Sequence, residues 1–124
     1  MKFTTLSKQD GTIVCTRCHL ATRPFARLKG LLGRAGLEPG EGMLFRPAGS
    51  IHMFFMRFPI DAVFLDRELR ILKIVPDLKP WRMAAGKGAK QVLEIAAGEA
   101  GRRGLEPGQQ LVLGEEERNQ RAEG

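Results

Sequence analysis

Ser50-Ile51-His52-Met53-Phe54-Phe55-Met56-Arg57-Phe58-Pro59-Ile60-Asp61-Ala62-Val63-Phe64-Leu65-Asp66 is the densest apolar run in the chain, with four of its seven phenylalanines and two of its five methionines. Alternation over residues 51–56 puts Ile51, Met53 and Phe55 on one side and His52, Phe54 and Met56 on the other. Both sides are largely apolar, which predicts a central strand that ends before Pro59. His52, Arg57 and Asp61 are out of place in such a run. Burying each costs about 1–3 kcal/mol or more unless it finds a partner. The segment is therefore both the centre of the fold and the first place to look for a site. Asp61 is the acid nearest to Arg57 in sequence, and Pro59 can turn the chain so that the two meet. Asp66 and Glu94 are other candidate partners.

Downstream, residues 60–65 and 69–75 read as strands joined in a hairpin by Asp66-Arg67-Glu68. Residues 76–82 read as a loop, 91–95 as a strand and 98–103 as a short helical turn. Upstream, residues 12–19 read as a strand. Thr22 then offers an N-cap, Pro24 suits a first helical turn, and Phe25, Leu28, Leu31 and Leu32 form one stripe up to Gly33. The pentapeptide Gly36-Leu37-Glu38-Pro39-Gly40 recurs as Gly104-Leu105-Glu106-Pro107-Gly108. Pro-Gly at its end predicts a type II turn feeding a strand in each copy, at 42–45 and 111–113. Either turn chemistry arrived at twice or a duplicated helix–turn–strand unit gives this pattern.

The sum is a mainly β fold, α+β at the margin. It is a compact antiparallel barrel or sandwich of about seven short strands with one short helix near residues 22–33. One domain spans 1–113, and 114–124 read as a disordered acidic tail. At 124 residues the chain needs no metal or disulfide to hold a core. Residues 1–10 lack the apolar stretch of a secretory signal, so the expected compartment is the cytoplasm, with no disulfide. No apolar run approaches the roughly 20 residues of a membrane helix.

The formal charge of +6 is uneven. The tail holds Glu115, Glu116, Glu117 and Glu123 against Arg118 and Arg121, which leaves the body at +8. Arg17, Arg23, Arg27, Lys29 and Arg34 lie in one acid-free stretch, and Lys79, Arg82, Lys87 and Lys90 in another. Such stretches suit an anionic partner as well as a solvated surface.

Cys15-Thr16-Arg17-Cys18-His19 has the spacing of a haem-attachment motif, but haem attachment needs export. On a regular strand positions 15 and 18 face opposite sides, which argues against chelation and for thiols that fill a strand. Zinc would need Cys15, Cys18, His19 and His52 together. Copper(I) would need Met43, Met53, Met56 or Met83 with His52. Neither a metal nor a cofactor is expected.

Residues 51–61 resemble the signature of the uncharacterised family called domain of unknown function 192. The likeness extends to Ala21-Thr22 through Arg27, to Gly30-Leu31-Leu32-Gly33-Arg34, where Leu32 replaces a more usual methionine, and to Gly42-Met43-Leu44-Phe45. It also takes in Leu78-Lys79-Pro80-Trp81-Arg82 and Gly88-Ala89-Lys90-Gln91-Val92-Leu93-Glu94, for a coverage of about 14–113. The resemblance implies a compact, mainly β domain with a short helix. It brings no reaction and no catalytic residues, and the cysteines are not part of it.

The leading functional expectation is a non-catalytic binding module for a small or peptidic, anionic ligand. Arg27 and Arg34 would face His52, Arg57 and Asp61, with Trp81 as the rim, since arginine supplies planar forked donors. The alternatives are a hydrolase or transferase using His52 and Asp61, and a nucleic-acid-binding protein using the basic stretches.

Overall fold

A computed structural model of the chain describes residues 2–21, 36–53, 57–114 and 117–118. Ten strands and one short helix occupy them: β1 (Lys2–Lys8), β2 (Ile13–Ala21), β3 (Glu41–Phe45), β4 (Ser50–His52), β5 (Ile60–Leu65), β6 (Ile71–Leu78), β7 (Met83–Ala85), β8 (Gln91–Ala96), α1 (Glu99–Arg102), β9 (Leu111–Leu113) and β10 (Glu117–Arg118). The main sheet runs β10-β1-β2-β3-β8-β5-β6, with β9 also on β1, while β4 and β7 form a separate ribbon. The sheet curls until its ends approach. Arg70, just before β6, bridges Gln110, just before β9, and Ile71 N donates to Gln109 O at 2.8 Å.

All six residues of β5 are buried, as are Gln91 through Ile95 of β8. Such strands are covered on both faces, and their side chains alternate between two cores. One core gathers Leu6, Val14, Leu44, Val63, Ile71, Leu93 and Leu111. It joins strands from opposite ends of the sheet order, so it lies inside the curl. The other gathers Met43, Phe45, Ile60, Ala62, Phe64 and Val92 on the outer face. The β4–β7 ribbon covers that outer face through Ile51 and Ala84, with Met53 just beyond β4.

The ribbon seats at Gly86, where a Cβ would stand 2.7 Å from Phe64 Cβ and 2.8 Å from its Cγ. Gly86→Ala therefore forces overpacking and is expected to cost about 1–3 kcal/mol in denaturant unfolding. A variant as stable as the parent would show that the ribbon does not sit this closely.

The mainly β architecture, the β5–β6 hairpin and the helical turn at α1 agree with the sequence. Both Pro-Gly turns form as well. Gly40 and Gly108 take φ of 87° and 94°, and Glu41 N donates to Glu38 O at 3.0 Å. Each turn also carries the same side-chain clasp: Glu38 N donates to Glu41 Oε1, and Glu106 N to Gln109 Oε1.

Three readings change. The sheet is not wholly antiparallel, because β2 and β3 pair in parallel from Arg17↔Glu41 to Ala21↔Phe45. A parallel pair needs a connection of about a dozen residues or more, and residues 22–40 supply it. The helix expected near 22–33 lies outside the described residues. β6 continues through Pro76 to Leu78, since its outer edge has no ladder there for a proline to break. The expected tail without structure pairs at Glu117–Arg118 with Phe3 and Lys2, next to the stretch of β1 that β9 takes.

Candidate functional site

After folding, the opening stretch grips the loop that follows β6. Met53 N donates to Arg82 O, and Trp81 N donates to Met53 O, both at 2.7 Å. Between these two bonds Trp81 holds φ of 70°. A bulky L-residue in the left-handed region costs about 1–2 kcal/mol, and strain of this kind collects at functional sites. The side chain so presented is 60% exposed, and that of Met83 62%. Leu78 pairs with Ile60 at the start of β5, so the loop after Leu78 and the exposed Arg57 before Ile60 leave the same end of the sheet. Arg82 and Lys79 are exposed too, Lys79 at 2.5 Å from Asp77. Trp81, Arg57, Lys79 and Arg82 thus lie on segments that leave this end of the sheet.

Asp61 does not meet Arg57. It is 1% exposed and points to the inner side of β5, opposite Ile60 and Ala62. Its Oδ1 accepts from Asp77 N at 2.8 Å, and its Oδ2 from Gly98 N at 3.0 Å and Ala100 N at 2.9 Å. One carboxylate therefore ties β5 to the end of β6 and caps the first turn of α1. Glu99, also buried, takes Arg103 Nε at 2.8 Å and Arg102 at 3.0 Å, which fixes the other end of that turn.

The outer face carries a polar row that the sequence reading did not assemble. Glu94, in the middle of β8, lies opposite Met43 on β3 and Ala62 on β5. It is 6% exposed, and among the described residues no side chain hydrogen-bonds to its carboxyl. Burial pushes its pKa up to about 8, so it is protonated at neutral pH. Next to Met43 on β2 stands His19, with Glu41 at 4.0 Å. The Phe3 ring meets the His19 ring edge-on at 4.5 Å, and the Arg17 guanidinium lies 4.8 Å over Phe3. The signal for Glu94 was present in the sequence as a lone acid in an otherwise apolar strand. His19 and Glu41 gave no signal, because only the parallel β2–β3 register makes them neighbours.

The cysteines fill a strand as expected, but they share one side of it. Cys15 and Cys18 are both fully buried in the inner core. Cys18 opposes Thr4 while Cys15 opposes Leu6, so three residues of β2 span the length of two on β1. That bulge turns both thiols to the same side, where a regular strand would separate them. The neighbouring Cys15 side chain, together with burial, holds the Cys18 thiol well above its ordinary range.

Of the residues singled out in the sequence, Arg57 and Trp81 come to one end of the sheet and Asp61 turns inward. His52 lies on β4, and its side chain is not among those described. Arg27 and Arg34 fall outside the described residues. Met43 and Met53 share the outer core whereas Met83 faces solvent, so these three do not converge. Among the described residues no group of three or more His, Cys, Asp or Glu is placed to hold a metal ion, and no helix is long and apolar enough to cross a membrane.

Comparison with known proteins agrees with this architecture. A family model described as uncharacterised ACR, domain of unknown function 192, matches residues 5–113. A UPF0127 protein of Thermococcus sibiricus is 32% identical over 101 residues, covering 75% of this chain and 63% of that protein. A UPF0127 protein of Pyrococcus abyssi is 37% identical over 68 residues, covering 49% and 57%. The match thus spans about three-fifths of the length of these curated relatives. A crystal structure of a protein of unknown function from Novosphingobium aromaticivorans superposes with a TM-score of 0.73 at 29% identity, over 89% of this chain and 83% of that one. A second, from Sinorhizobium meliloti and described as a candidate transcription regulator, gives 0.79 at 26% identity over 91% and 94%. The family match begins within β1, earlier than the sequence blocks reached, and runs to the end of β9: the chain belongs to the family of domain of unknown function 192.

Proposed function

We propose that this domain is a non-catalytic binding module for a small or peptidic anionic ligand, seated against Trp81. The observation that carries the reading is the backbone of Trp81. A tryptophan at φ of 70°, with its own N–H bonded to Met53 O and the next residue's carbonyl bonded to Met53 N, and with its side chain largely in solvent, is strain kept at a surface. An exposed aromatic side chain, with the exposed Arg57, Lys79 and Arg82 on segments at the same end of the sheet, favours a planar or extended ligand that carries negative charge. His52, on the strand that leads into Met53, and Arg27 and Arg34 complete the proposed set. Asp61 enters it only as the anchor of the neighbouring turn. That role also weighs against the acid–base reading with His52, since both carboxylate oxygens already accept backbone amides.

A thermal-shift screen over sugars, nucleotides, inorganic phosphate, short acidic peptides and single-stranded DNA tests this. The expected result is a rise in melting temperature with at least one anionic class, abolished in Trp81→Ala while the unliganded melting temperature stays close to the parent's. No shift with any class would overturn the proposal. A shift confined to single-stranded DNA and falling steeply with salt would replace it with the nucleic-acid reading.

A further inference from the structure

We propose that Cys15 and Cys18 form a reversible dithiol–disulfide couple built into the bulge of β2. The geometry begins with the register. Cys15 and Cys18 oppose Leu6 and Thr4, so their Cα atoms are separated by the length of two strand residues, about 6.7 Å, where an unbulged strand would set them about 10 Å apart. Disulfides join Cα atoms about 4.4–6.8 Å apart and Cβ atoms about 3.5–4.5 Å apart, so the bulge brings the pair to the upper edge of the Cα range and closing the bond draws the two side chains together. Both thiols face the same core. The neighbouring strand leaves them room: Gly42 stands opposite Cys18, and a Cβ there would lie 2.9 Å from Cys15 Sγ.

The oxidant is a small-molecule disulfide such as oxidised glutathione. Its S–S bond breaks, one bond forms between Cys15 Sγ and Cys18 Sγ, and the two thiol hydrogens leave on two glutathione molecules. Both cysteines are 0% exposed, and a neutral thiol is a poor nucleophile. Exchange in the folded protein therefore waits on local opening of β1, which covers the bulge, and proceeds slowly. The equilibrium favours the bond nonetheless, because the fold holds the two sulfurs together.

The test is to equilibrate the folded chain in glutathione redox buffers, quench with acid, alkylate and weigh it. The expected product carries neither alkyl group nor glutathione and melts several degrees above the reduced form, since a bond that the fold favours must favour the fold. Cys15→Ser and Cys18→Ser give at most a mixed disulfide and no such rise. Two thiols still open to alkylation after equilibration in the most oxidising buffer would overturn the proposal. So would an oxidised form that melts below the reduced one, and that comparison needs no variant.

Discussion

Glu94→Gln is expected to flatten the dependence of stability on pH and to raise stability above pH 8. The folded domain keeps the Glu94 proton up to about pH 8, whereas the unfolded chain releases it near 4.5. The folded state thus binds more protons than the unfolded state between these values. The contribution of Glu94 is whole below about pH 4.5, declines through that window and is gone above 8. The full span corresponds to at most about 5 kcal/mol. Glutamine keeps the shape and cannot ionise, so the difference between parent and variant grows with pH in the variant's favour. Its amide adds a constant offset from lost or gained hydrogen bonds, and the slope carries the result. Denaturant unfolding at about pH 5, 7 and 9 measures it. A parent-minus-variant difference that stays constant over this range would show that Glu94 is ionised in the folded domain.

Asp61→Ala should be the most damaging single change. Three buried or half-buried N–H groups, on Asp77, Gly98 and Ala100, lose their acceptor together. At about 1–3 kcal/mol for each orphaned donor, the expected loss is roughly 3–9 kcal/mol, a large part of the stability of a domain this size. Asp61→Asn retains one acceptor oxygen and should lose less. Amide exchange localises the effect: the Gly98 and Ala100 amides lose protection first, because α1 is a single turn whose start rests on this carboxylate. A loss below about 1 kcal/mol would mean that water replaces the carboxylate. Either outcome bears on function, since a residue so committed to holding the fold is not available as a base.

Much of the fold was legible because a few segments state their roles locally. β5 and the Gln91–Ile95 part of β8 are short apolar runs bounded by turn residues, and both Pro-Gly turns adopt the left-handed glycine that their sequence demands. β1 was not legible. Lys2-Phe3-Thr4-Thr5-Leu6 buries Thr4 and Leu6, but its partners on β9 and β10 lie more than a hundred residues away. β7, Met83-Ala84-Ala85, has little strand propensity and forms by pairing with β4. The site follows the same division. Trp81 among cations could be read from composition, but its left-handed backbone and its bonds to Met53 could not. Asp61 announced itself as an acid needing a partner, and its partners proved to be amides up to 39 residues ahead. The cysteines read correctly as thiols filling a strand, but not as facing one side, because a bulge is visible only in the register against β1.

Trp81 is the chain's single tryptophan, so its fluorescence reports the proposed seat and nothing else. Titration of the folded domain with the anionic class that raises its melting temperature is the most direct measurement. A saturable change in Trp81 emission is predicted, weakened at least tenfold in affinity by Arg82→Ala and falling with ionic strength. Emission that stays unchanged while that ligand still raises the melting temperature would place binding elsewhere and contradict the account.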